Sequence, residues 1–140
     1  MASWDDVAGI SLSLPETTEQ PLHGWRTWRL GKKLVVWERP LSEKEVGQLG
    51  GVEPEGDAPD GEVLAAHVPD AEAKLALIES EPEIYFTTPH FDRSATVLVR
   101  LDRIPRADLE EVIVEAWLAR APKRVADAYL NERTDQAGAA

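Results

Sequence analysis

Apolar side chains along the chain recur at intervals that divide it into elements. Trp4, Val7, Ile10 and Leu14 follow a helical spacing behind Ser3, with Asp5 and Asp6 in the first turn, which predicts an N-capped helix ending before Pro15. Residues 15–24 hold Pro15, Thr17, Thr18, Gln20, Pro21, His23 and Gly24 without a period and read as a loop. Trp25 to Leu30 and Lys33 to Glu38 then flank Gly31-Lys32, and glycine at the first central position fits a two-residue type II′ hairpin turn. That turn sets Leu30 opposite Lys33, Trp28 opposite Val35 and Arg26 opposite Trp37. Trp28, Leu30, Val35 and Trp37 therefore share the core side, with Arg26 and Lys33 at its margins. The other side is mixed, carrying Trp25, Arg29, Leu34, Val36 and Glu38.

The second half of the chain reads as alternating strands and helices. Ser42 with Glu45 makes a capping-box pair before Val46 and Leu49, predicting a short helix ahead of an acidic Pro/Gly-rich loop from Gly50 to Gly61. Glu62 to Val68 reads as a strand. Pro69 suits the first turn of a helix with Ala71, Leu75 and Ile78 on one face, ending before Pro82. Ile84-Tyr85-Phe86 is a brief strand, and Ala95 to Asp102 a longer one with Val97, Val99 and Leu101 on its buried side. Pro105 opens the most regular helix, where Leu109, Val112, Ile113, Ala116 and Trp117 recur at three and four and place Trp117 in the core. Pro122 ends or kinks it. Helix resumes to Leu130, giving one domain over 1–133 and a frayed, flexible tail over 134–140.

Composition narrows the class. A chain of 140 residues is long enough to bury a core without a staple. The absence of cysteine excludes disulfides, thiolate zinc and cysteine nucleophiles. Neither a signal-peptide pattern nor a membrane-length apolar run is present, so a cytoplasmic protein with no membrane partner is expected, the monomer being the favoured state. The net charge of -11 repels nucleic acid on average. Its distribution is uneven. Residues 25–39 hold Arg26, Arg29, Lys32, Lys33 and Arg39 against Glu38 alone, whereas residues 40–83 hold twelve acids against Lys44 and Lys74.

Tests for chemistry are negative. His23, His67 and His90 lie far apart, and no two histidines stand one helical turn apart as in a zinc hydrolase. His90, Asp92 and Ser94 supply the residue types of a nucleophile with its base, but side chains two apart on an extended segment do not converge. Glu110 and Glu111 diverge by about 100° on a helix. No glycine pattern forms a phosphate loop. The chain is read as a non-enzyme that needs no cofactor or metal. The basic hairpin carries the functional content, because Arg and Lys on a projecting turn reach phosphates and nearby aromatics stack on bases. The same cations also serve solubility and edge protection, and Trp28 and Trp37 equally fit the core.

Four blocks resemble the MmcQ/YjbR family: Trp25-Arg26-Thr27-Trp28-Arg29-Leu30-Gly31-Lys32-Lys33; Tyr85 through Asp92; Val97-Leu98-Val99-Arg100-Leu101; and Trp117 through Arg124 followed by Tyr129-Leu130. The resemblance runs from about Asp5 to Leu130. It implies an α+β fold of two layers, an antiparallel sheet of four to five strands packed with helices, of the CyaY-like (frataxin-like) kind also compared with secretion chaperones. It marks the loop Pro89, His90, Phe91, Asp92 as a family motif. Members are commonly labelled DNA-binding, without an agreed reaction or catalytic residues.

The leading reading is a small binding module that contacts DNA weakly and in a salt-dependent way, with Arg26, Arg29, Lys32 and Lys33 on the hairpin and Lys123 and Arg124 at the helix junction touching phosphates. The rival is a chaperone-like adaptor that offers the acidic segment from Glu43 to Glu83 to a basic protein partner. A third, cation binding on an acidic first helix, has only Asp5 and Asp6 to draw on.

Overall fold

The computed structural model describes residues 2–21, 24–39, 63–88, 91 and 93–138, with backbone alone for 132–138. The expected helix from Ser42 and the loop from Gly50 to Gly61 lie outside the described residues.

Ser3 opens the first helix by a capping box: its hydroxyl accepts from the Asp6 amide at 3.2 Å, and the Asp6 carboxylate accepts from the Ser3 amide at 3.0 Å. Two of the unpaired donors of α1 (Trp4–Ser13) are thereby satisfied. Glu16, at φ 59°, then turns the chain into β1 (Thr17–Glu19). This strand replaces the loop expected over 15–24. Its three polar residues are too few to show a period, and only the β-branched Thr17 and Thr18 carried the signal.

The elements that follow are β2 (Thr27–Leu30), β3 (Lys33–Glu38), β4 (Val63–His67), α2 (Ala71–Ser80), β5 (Tyr85–Phe86), β6 (Thr96–Arg100), α3 (Arg106–Arg120) and α4 (Lys123–Gly138). The strands form an antiparallel sheet in the order β1-β2-β3-β4-β6-β5. Among the described residues, six strands instead of four to five follow from the addition of β1. The α+β architecture is otherwise the one expected.

Strands β4 and β6 are buried on their two faces, so their apolar residues run almost continuously. Leu64, Ala66, Val97 and Val99 join Trp28 and Leu30 in the main core, against Val7 and Ile10 of α1 and Leu109, Ile113, Ala116 and Trp117 of α3. Val63, Ala65 and Leu98 point the other way, into a second cluster with Phe86 and Phe91, against which Trp37 packs.

Three expectations need correction. The residue before α2 that caps it is Asp70, whose carboxylate accepts from the Ala73 amide at 2.8 Å, so Pro69 lies outside the first turn. The inward face of α2 runs through Ala73, Lys74, Leu77 and Ile78, leaving Ala71 and Leu75 exposed, the latter by 54%. Two apolar stripes fit this short helix equally well, and the buried stem of Lys74 selects between them. Finally, α4 runs past Leu130 to Gly138, so the segment from Thr134 is helical for most of its length.

Trp117 is fully buried; its indole N–H donates to the Pro15 carbonyl at 3.1 Å, and its ring lies 5.0 Å from that of Tyr129. Trp117→Ala is expected to lower the unfolding free energy by about 3–5 kcal/mol in urea denaturation. Trp117→Phe should lose less, because a phenyl ring still fills part of the site, although the second ring of the indole and its hydrogen bond to Pro15 are both gone. An unchanged midpoint for the alanine variant would contradict this packing.

Candidate functional site

A hairpin of β2 and β3 carries most of the sequence-predicted cations. Gly31 sits at φ 64° while Lys32 does not take positive φ, as a type II′ turn requires. The first pairs leaving the turn are Leu30↔Lys33, as expected, and Arg29↔Leu34. A bulge then shifts the register, so that Trp28 faces Val36 and Thr27 faces Trp37, in place of Val35 and Arg26 as partners. One extra residue in β3 allows the consecutive Val35 and Val36 both to enter the main core. It also turns Trp37 to the opposite face from Trp28. Trp28 is fully buried, stacked at 6.3 Å on Trp4. The two indoles thus form no shared platform for bases.

The cations divide in the same way. Arg26, before β2 and away from the turn, makes a two-pronged contact with Glu19, Nε to Oε2 at 2.8 Å and the second nitrogen to Oε1 at 3.1 Å. Its guanidinium also lies 5.1 Å from the Trp28 ring centre. The hydrogen bond from Arg26 holds the Glu19 carboxyl below its ordinary value, outweighing the opposing effect of burial. Arg29 is half-buried, and its buried Nε meets no hydrogen-bond acceptor among the described residues. Lys32, Lys33, Lys123 and Arg124 are exposed.

Arg120 joins these four. At the last residue of α3, its Nε donates to the Leu34 carbonyl at 3.0 Å, fastening the helix end to the start of β3. The opening residues of α4, Lys123 and Arg124, therefore stand at the same end of the domain as the Lys32-Lys33 turn. His67, the last residue of β4, is at this end too. Burial lowers its pKa first, and the charges of Arg120 and Lys33 add to that lowering, with the Ala95 carbonyl opposing. Sequence spacing could not reveal the role of Arg120, since its partner is 86 residues away.

In the family-motif loop, Pro89, His90 and Asp92 lie outside the described residues. Phe91 is buried against the second cluster, with the Arg39 guanidinium 5.3 Å from its ring centre. The ammonium of Lys74 donates to the Phe91 carbonyl and, at 3.0 Å, to the Ser94 carbonyl. A buried lysine head here does structural work, pinning the loop to α2. The Ser94 hydroxyl donates to Thr96 Oγ1 at 3.0 Å. Among the described residues no group of three His, Cys, Asp or Glu side chains is placed to hold a metal. No described helix is long and apolar enough to cross a membrane. Of the acidic segment from Glu43 to Glu83, residues 43–62 lie outside those described, while Asp70, Glu72, Glu79, Glu81 and Glu83 lie within them.

A family model described as YjbR matches residues 12–119. Uncharacterized proteins of Mycobacterium tuberculosis and Mycobacterium bovis are 51% identical to this chain over 132 residues, covering 93% of it and 97% of their own length. A Deinococcus radiodurans crystal structure of a DUF419 domain protein superposes with a TM-score of 0.62 at 21% identity, covering 94% of this chain and 88% of that one. At that identity the likeness shows the fold.

Two outcomes follow from these contacts. Because the folded-state pKa of Glu19 is depressed, its ion pair stabilises the protein above the ordinary carboxylate range, and that contribution disappears as pH falls through the folded value. With both side chains partly exposed to screening, Glu19→Gln should cost no more than about 1 kcal/mol at neutral pH, and nothing once the wild-type carboxyl is protonated. Parallel denaturation curves across acidic pH check this. Lys74→Met keeps the apolar stem but removes both charged hydrogen bonds, so a loss of about 2 kcal/mol is expected. Faster amide exchange at Phe91 and Ser94 should accompany it.

Proposed function

The chain belongs to the YjbR family, and on that premise we propose that it is a non-enzymatic binding module whose basic end holds phosphates of a nucleic acid. The observation that supports this reading is the hydrogen bond from Arg120 to the Leu34 carbonyl, which ties the end of α3, three residues before Lys123, to the start of β3, next to Lys33, in an otherwise acidic chain. Lysine and arginine at that end neutralise phosphates and release counterions. The N-terminus of α4, where Lys123 and Arg124 sit, adds the positive end of a helix dipole of 16 residues. Arg26 contributes little, because its fork is already occupied by Glu19.

Binding of this kind is weak and carries little base preference, since neither Trp28 nor Trp37 is presented beside the cations. Acids elsewhere repel the strand and confine contact to the end of the domain. With four phosphate contacts, log K for a duplex should fall with log salt at a slope of about -3 to -4.

Fluorescence anisotropy at low salt tests the proposal. Lys32→Glu with Lys33→Glu, and separately Lys123→Glu with Arg124→Glu, should each abolish most of the binding, whereas Arg26→Gln should leave it close to wild type. Failure to bind either single or double strands, or indifference to both charge reversals, would refute the reading.

A further inference from the structure

Facing sides of α2 and α3 bound a cavity of about 470 Å³, within the size range of small-ligand sites. Its walls are mostly apolar, with Val68 at the end of β4, Ala73 and Leu77 on α2, and Val112 on α3. Polar groups meet it at two places. At one, the Tyr85 side chain lines the cavity although the residue is only 4% exposed, and its hydroxyl makes no hydrogen bond to a described residue. At the same wall stand Glu111 and Glu115, one helical turn apart on α3. Like charges at that spacing repel each other. Neither has a basic residue three or four positions away on the helix, and no ion pair joins either to a described cation.

The cavity is also electrically polarised. Burial raises the Tyr85 pKa to about 12, with further contributions from the negative charges of Asp108, Glu81 and Glu111. The phenol therefore stays neutral, and its oxygen is available to accept a hydrogen bond. At the other end, His67 lies in the positive field of Arg120 and Lys33. A cation is favoured at the Tyr85 end and disfavoured at the His67 end.

We infer that this cavity binds a small organic cation, an amine whose apolar body lies against Val68, Leu77 and Val112 and whose ammonium group is held by Glu111, Glu115 and the Tyr85 hydroxyl. Three features agree on this class. The apolar walls favour a ring or branched chain, the unrelieved carboxylate pair favours positive charge, and the phenol oxygen of the largely buried Tyr85 supplies a fixed acceptor. The ammonium lies at the Tyr85 end of the cavity, away from His67 and the basic end, and its binding does not depend on phosphate binding at the Lys32-Lys33 turn.

Tryptamine and tryptophol distinguish the elements of this proposal, since they share an indole body and differ in carrying an amine or a hydroxyl. The isotope-labelled full-length chain is titrated with each and followed by amide chemical shifts. Tryptamine should produce saturable shifts at Ala73, Leu77 and Val112, with tryptophol weaker by about tenfold. Glu111→Gln with Glu115→Gln should reduce tryptamine affinity to that of tryptophol while leaving the melting temperature at or above wild type, because both carboxylates are exposed. Tyr85→Phe should weaken tryptamine more than tryptophol. Equal affinity of the two compounds, shifts confined to other residues, or wild-type tryptamine binding by the double glutamine variant would overturn the assignment.

Discussion

A buried indole gains by placing its N–H on an acceptor, and Trp117 does so on the Pro15 carbonyl, 102 residues earlier in the chain. Much of the architecture is arranged around this one contact. It fixes the turn that leads from α1 into β1, so the edge of the sheet is positioned by a helix from the other end of the sequence. Tyr129 closes over the same ring and brings α4 back onto α3. Three residues beyond Trp117, Arg120 attaches the helix end to β3. The basic end of the domain is thus a by-product of core packing, and its geometry is as firm as the burial of one tryptophan.

Elements with long, regular apolar spacing are legible in the sequence. Val7 and Ile10 in α1, and Leu109 through Trp117 in α3, have the period of a helix and are buried as that period implies. Gly31 likewise announces its turn, because the required positive φ is costly for other residues. Short elements are less legible. Thr17–Glu19 is a strand only because β2 lies beside it, and the inward face of α2 depends on where Lys74 finds carbonyl acceptors. The bulge in β3 is similarly invisible, since strict alternation from the turn cannot anticipate that the core takes both Val35 and Val36.

The candidate site was legible as a collection of charges but not as an arrangement. Arg26 and Lys32 look equivalent in a basic segment, yet one is committed to Glu19 and the other is exposed. That difference depends on the pairing of β1 with β2. Arg120 belongs with Lys32 and Lys33 only through a hydrogen bond between distant segments. The cavity beside Tyr85 is assembled from β4, α2, β5 and α3, and no local motif marks it. Family membership, with relatives that are themselves uncharacterized, establishes the fold around these features and leaves their use to be argued from their chemistry.

The outer strands of the sheet have a further consequence for how the molecule coexists with its own copies. An edge strand offers unpaired amides and carbonyls on which another chain can template, and long flat edges invite polymerisation. Among the described residues the outermost strands, β1 and β5, have three and two residues. Each offers only a few backbone groups to an incoming strand, while β2, β3, β4 and β6 have neighbours on both sides. An inner sheet rich in valine and leucine, of a composition prone to fibre formation if left open, is thereby shielded at its margins by its shortest members.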